Sequence, residues 1–279
     1  MYNDYYSDEE KILLGDSVNL LKSILKKCEF IIKNIKTKEQ SDKKHDIRTI
    51  IISYLYREMI ERVDGIYLLL TNNSTLNSKI LLRSFFEIAI DLEKILKDFT
   101  NQTSLNYLYF KSGDYICKLE KFNEISETKK YNIREELKDL EKIAELYKLK
   151  CLERNHKKNI MKYKKEWWNY GKKTREPLRE KVDDLLYKKL CEAVHGQNSI
   201  IDNFLRNEIP TLRSLRFLDD FGFIVYVIIY KFYIINKLIL KQCIDIPLEE
   251  KEVRIKEIYE YLESSEKIKE KTNKIGLKF

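Results

Sequence analysis

The run from Phe221 to Leu240, F-G-F-I-V-Y-V-I-I-Y-K-F-Y-I-I-N-K-L-I-L, restricts this chain more than any other stretch. A helix that is apolar on every side has to be enclosed, either by lipid or by the rest of the protein. A membrane span takes roughly 20 predominantly apolar residues. Here Lys231, Asn236 and Lys237 interrupt the run, and its uninterrupted part ends at Tyr230. The expectation is therefore a buried central helix rather than a membrane segment.

What surrounds that helix is legible from spacing. Only 7 Gly and 3 Pro occur in 279 residues, and Leu, Ile, Lys and Glu abound, which favours helices over many short strands. Leu13, Leu14, Leu20, Leu21, Ile24, Leu25 and Ile31 fall at helical spacing over residues 8–36, after an acidic first turn. A second helix is expected over 46–71. The segment Thr71-Asn72-Asn73-Ser74-Thr75 closes it and caps a third, over 76–99, with Ile80, Leu81, Phe85, Ile88, Leu92 and Leu96. Further helices are expected over 104–123, 127–165 and 176–195, and Pro210 starts the apolar helix ending near Cys243. Pro247, with Glu249 and Glu250 in the first turn, opens the last one. No alternating strand pattern is present, so the fold class is all-α. The division expected is an N-terminal helical extension (1–44), a core bundle (45–245) and a C-terminal helix (246–279).

Charge is distributed unevenly. Between Lys148 and Arg175 stand eleven basic residues against Glu153 and Glu166, a net +9 in a chain whose total is +8. Tyr163, Trp167, Trp168 and Tyr170 are interleaved with them. Cations that neutralise phosphates beside rings on which bases can stack are the composition of a nucleic-acid surface. Lys157, Lys158, Lys164, Lys165, Trp168 and Lys172 are the residues assigned to nucleic-acid contact. A solvated helix face anchored by its tryptophans has the same composition.

Motifs exclude several chemistries. No glycine-rich phosphate loop, Walker lysine, G-x-S-x-G elbow or H-E-x-x-H occurs. Five cysteines, odd in number and far apart, read as reduced thiols in a cytoplasm without a zinc site, and the Met-Tyr-Asn-Asp-Tyr-Tyr start carries no charged-then-apolar leader. Glu192 and His195 have the E-x-x-H spacing of di-iron bundles, and so do Glu153 and His156. The second pair lies in the basic segment, which repels cations, so no metal and no cofactor is expected. His195 precedes Gly196, as a helix C-cap does, and a protonated histidine there is stabilised by the helix dipole. Capping does not exclude chemistry. Arg83 and Glu87 lie four residues apart and can pair on one helix face, with Asp91 a turn beyond.

L-L-R-S-F-F-E-I-A-I-D-L (81–92), following Y-R-E-M-I-E-R-V-D-G-I-Y-L-L-L, resembles a bacterial family of unknown function, DUF5677. W-W-N-Y-G (167–171) and Y-K-K-L-C-E-A-V-H-G (187–196) match its later motifs, so the resemblance covers residues 45–205. The family in turn resembles HEPN-type helical domains, many of them RNases of toxin and phage-defence systems. That resemblance implies a HEPN-like bundle with Arg83, Glu87 and His195 in one catalytic site. HEPN nucleases carry R-x(4 to 6)-H within one helix, whereas the residues before His195 include no arginine, so the arginine has to come from another helix. Tyr187 and Asn198 are contributors to the same site. The function expected is metal-independent cleavage of RNA. The alternative is a helical module that binds a protein partner or a nucleotide without catalysis, and either could work as a homodimer.

Overall fold

The computed structural model describes residues 7–35, 47–72, 74–98, 101–125 and 218–276, with positions 132, 138 and 190. Six helices make up nearly all of them: α1 (Asp8–Asn34), α2 (Ile47–Thr71), α3 (Thr75–Lys97), α4 (Asn101–Ile125), α5 (Leu218–Gln242) and α6 (Leu248–Gly276). No strand occurs among the described residues, so the chain is all-α as its spacing predicts. Two compact units are present: Met1–Phe99 with Val182–Phe279, and Thr100–Lys181. The first holds α1, α2, α3, α5 and α6, and the second holds α4.

Helix α1 starts at a capping box that its acidic first turn only hinted at. Ser7 Oγ accepts from the Glu10 amide at 3.3 Å, while the Ser7 amide donates to Glu10 Oε2 at 2.6 Å. Its buried positions, Glu10, Leu13, Leu14, Ser17, Leu21, Ile24, Cys28 and Ile31, follow the helical repeat and form one stripe. The α2–α3 turn closes through Ser74 N donating to Leu69 O at 2.8 Å. Ser74 takes the N-cap position, yet its hydroxyl accepts from the Asn77 side chain and not from a backbone amide.

The Phe221–Leu240 run lies within α5, the central helix of its unit. By length and hydropathy α5 could cross a membrane, but 67% of its most apolar window is buried within the protein. It packs on α1, α3 and α6. Phe232 meets Tyr56 edge-on at 6.1 Å and Phe85 at 5.6 Å. Two of the three polar interruptions, Lys231 and Asn236, are buried and partnered. Lys231 Nζ lies 3.4 Å from Glu93 Oε2 and 4.9 Å from the centre of the Phe86 ring. Asn236 accepts from Tyr56 Oη at 2.6 Å and donates to Cys28 Sγ at 3.9 Å. Lys79 and Asp220 form a second ion pair between α3 and α5.

The two hairpins close tightly. Arg48 of α2 donates to the carbonyls of Ile95 and Leu96 at the end of α3, and to Gln242 Oε1 on α5 at 2.8 Å. Gly222 lets α5 approach α6, because a Cβ there would stand 2.2 Å from Thr272 Oγ1 and 3.0 Å from the Lys269 backbone. Tyr233 against Tyr259 and Lys27 against Glu257 (2.7 Å) fasten α6 to α5 and α1. In the second unit, α4 buries Thr103, Ser104, Tyr107 and Leu119 and exposes Lys111, Tyr115, Lys118 and Phe122.

Two predictions follow from this packing. Gly15 and Gly222 are both helical, but a Cβ at Gly15 meets nothing within 4 Å. In urea unfolding, Gly15→Ala should raise stability by about 0.5–1 kcal/mol through helix propensity. Gly222→Ala should lower it by about 1–3 kcal/mol, since overpacking outweighs the propensity gain. Equal effects at the two sites would contradict the close α5–α6 approach. The second prediction concerns pH. Burial pushes the Cys28 thiol up to about 12, against hydrogen bonds from Tyr56 and Asn236 that lower it, and burial raises Tyr56 as well. Below the thiol's unfolded value of about 9 both states hold the proton, and the contribution is complete. Between about 9 and 12 the unfolded chain releases a proton that the folded chain keeps, so stability falls as pH rises. Cys28 should contribute up to about 1.4 kcal/mol per pH unit to that slope, so the slope should be shallower in Cys28→Ala. Identical slopes in the two proteins would refute the assignment.

Candidate functional site

Helix α3 has three sides with different duties. Leu82, Phe86 and Ala89 are fully buried, and Glu93 on the same side meets Lys231 of α5. Leu81 and Ser84 turn to α2, where the Leu81 side chain lies over Gly65 and Ser84 Oγ meets Arg62 Nε at 3.3 Å. The remaining side carries Arg83 and Glu87. Ile80, expected on the apolar face, lies instead on this outer side and is exposed. Phe85, Leu92 and Leu96 are fully buried as their spacing predicts, and the buried face extends to Leu82, Phe86 and Ala89, because α5 as well as α2 has to be covered.

Arg83 and Glu87 pair as their spacing predicts. Arg83 Nε donates to Glu87 Oε1 at 3.2 Å. The arginine side chain keeps only 24% of its exposure and the glutamate 47%, so the guanidinium is held against the protein while the carboxylate faces water. An arginine placed before a glutamate is the less favourable order for an i,i+4 pair, because both charges then oppose the helix dipole. Helix stability alone therefore gives little reason for the pair. A planar guanidinium steadied by one carboxylate can receive a phosphate through its parallel N–H groups.

A second arginine–glutamate pair, absent from the sequence expectations, meets α3 at Ser84. Arg62 of α2 donates from Nη2 to Glu58 Oε2 at 3.0 Å and from Nε to Ser84 Oγ. Its signal was the E-x-x-x-R spacing of residues 58 and 62, within the hairpin sequence that carries the family resemblance.

Arg83 and Glu87 are the only assigned site residues among the described ones. His195, Tyr187 and Asn198 lie outside them, as do Lys157, Lys158, Lys164, Lys165, Trp168 and Lys172 and the Glu192 and Glu153–His156 spacings. Among the described residues, no group of three or more His, Cys, Asp or Glu side chains could hold a metal ion.

Comparison with known proteins places this hairpin in a wider context. No curated protein and no solved structure matches the chain. The model of a family of unknown function, DUF5677, matches residues 49–210, a span that begins in α2, includes all of α3 and α4, and reaches past His195. That span is more than half of the chain, which thus belongs to the DUF5677 family.

Proposed function

We propose that this chain is an RNA-directed effector of the bacterial cytoplasm, with a HEPN-like helical core over residues 45–245, that cleaves RNA without a metal ion in a toxin or phage-defence setting. The observation that carries the reading is the Arg83–Glu87 pair: a guanidinium held against the protein, in an order that contributes little to the helix, on the outer side of α3. Both residues lie in the family-matched span, which also contains His195 and the basic, aromatic segment. In this mechanism Arg83 binds the non-bridging oxygens of the scissile phosphate, and Glu87 fixes the guanidinium plane. His195 takes the proton of the ribose 2′-hydroxyl. The 2′-oxygen then bonds to phosphorus as the bond to the 5′-oxygen breaks, and the imidazolium returns the proton to that leaving oxygen. The products are a 2′,3′-cyclic phosphate and a 5′-hydroxyl end. Tyr187 and Asn198 line the site, the lysines between 157 and 172 hold the flanking strand with Trp168, and a second copy or a protein partner completes the assembly.

The test combines cleavage and stability. His195→Ala and Arg83→Ala should each remove nearly all RNA cleavage, and the double variant should be little worse, because groups acting as a unit are not additive. Arg83→Ala should cost under about 0.5 kcal/mol of unfolding free energy, as a partly exposed i,i+4 pair does, so lost activity would not be lost fold. Cleavage should persist in chelator and leave DNA intact for want of a 2′-hydroxyl. Loss in chelator with rescue by a divalent ion would move the chemistry to a metal held by Glu192 and His195. RNA left intact in every condition, with His195→Ala still weakening a protein or nucleotide ligand, would establish the non-catalytic module.

A further inference from the structure

We propose that the outward face of α2 is a homodimer interface, on which a second copy of this chain lays its own α2 antiparallel about a two-fold axis level with position 59. Along α2, Ile50, Tyr54, Arg57, Glu61, Asp64 and Leu68 follow one another at steps of four, three, four, three and four. All six are exposed, Tyr54 at 62% and Leu68 at 55%, while Met59 on the opposite side is fully buried. Ile50 and Leu68 are five turns of 3.6 residues apart, so the stripe runs straight along the helix for about 27 Å. This interface supplies a second copy for the RNA-directed assembly, but its geometry rests on α2 alone.

Single exposed apolar residues are ordinary on a protein surface. What points to the occupant is the order of these six, which is self-complementary. With the axis at 59, each residue a given distance before it meets the partner residue the same distance after it. Ile50 then packs on the partner's Leu68, the Tyr54 hydroxyl donates to the partner's Asp64, and Arg57 pairs with the partner's Glu61. Every contact occurs twice, as an isologous interface requires. The helical period places Tyr54 and Asp64 to opposite sides of the midline of the stripe, and Arg57 and Glu61 likewise. An antiparallel two-fold pair brings opposite sides together.

Charge selects both the direction and the register. Arg57 Nε already donates to Glu61 Oε1 of its own helix at 3.2 Å, an arginine-first order that gives the helix little. Two such pairs laid antiparallel form a ring of alternating charge, in which each carboxylate meets an arginine from either chain. A parallel pair would instead set Arg57 against the partner's Arg57 and Glu61 against the partner's Glu61. Sliding an antiparallel partner by one turn moves the axis to 57 or to 61, and like charges again face each other. Like-charge contacts across an interface are strongly penalised, so one register is left. A helix pair about 27 Å long lies at or below the low end of specific interfaces, about 1,200 Å² in total. The dimer is therefore reversible and dissociates in the micromolar range.

Sedimentation velocity of the full-length protein over a range of concentrations tests this without RNA. The wild-type chain should show concentration-dependent exchange between monomer and dimer. Arg57→Glu and Glu61→Arg should each raise the dimer Kd by about a hundredfold, because each change occurs twice and sets like charges across the axis. An equimolar mixture of the two variants should dimerise again, since each altered chain then meets the opposite charge. The double variant Arg57→Glu/Glu61→Arg should dimerise by itself for the same reason. Recovery on mixing also shows that both single variants are folded. A wild-type chain that stays monomeric at every concentration would overturn the interface, and so would a dimer whose Kd neither single change alters. Two monomeric variants that fail to dimerise when mixed would overturn the register and with it the proposal. RNA cleavage by a strictly monomeric chain would sink the interface and leave the RNA reading standing, whereas a dimer with this charge pattern that leaves RNA intact would support the interface alone.

Discussion

Enclosing α5 is the requirement that arranges the first unit. An all-round apolar helix leaves no side for water, so every side has to be covered by another helix. Its buried polar residues then fix how it is covered. Lys231 must face α3, where Glu93 and the Phe86 ring receive it, and Asn236 must face Tyr56 of α2 and Cys28 of α1. Rotating α5 by one residue would strand a buried ammonium and a buried amide, at a cost of several kcal/mol. Apolar packing alone would tolerate several such rotations. The polar pairs select one.

The same selection decides what α3 has left to offer. One side is committed to α5 through Leu82, Phe86 and Glu93, and another to α2 through Leu81 and Ser84. Arg48 fastens its end by taking the last carbonyls, which a helix terminus leaves without an internal partner. Helix α3 is therefore fixed in place, and Arg83 and Glu87 pair with each other on its remaining side. A functional group on a fixed helix is placed more accurately than one on a loop.

Burial also shapes the chemistry that the described residues can perform. Cys28 is enclosed in the α1–α2–α5 contact with its thiol pushed up to about 12, so it is a packing residue and not a nucleophile. The arginines are the opposite case. Partly exposed, Arg62 and Arg83 are each braced by a carboxylate one turn away on the same helix.

The helices and the Arg83–Glu87 pair were legible in the sequence because both depend on local spacing. The 3.6-residue repeat marked α1 and α3 to within a few residues, Pro247 with its acidic turn marked the start of α6, and an i,i+4 separation brings two side chains together whatever else the chain does. The polar interruptions of α5 likewise indicated a buried helix rather than a membrane span. Their partners were not legible. Nothing local links Lys231 to Glu93, Asn236 to Tyr56 and Cys28, or Arg62 to Ser84, because these pairs are separated by between 22 and 208 residues. The outward position of Ile80 was hidden for the same reason: a helix covered by two neighbours buries a different arc from one covered by a single neighbour. Periodicity determined which segments are helical and which residues share a face. The tertiary structure alone decided which face meets which helix, since that follows from enclosing α5 with every buried polar group paired.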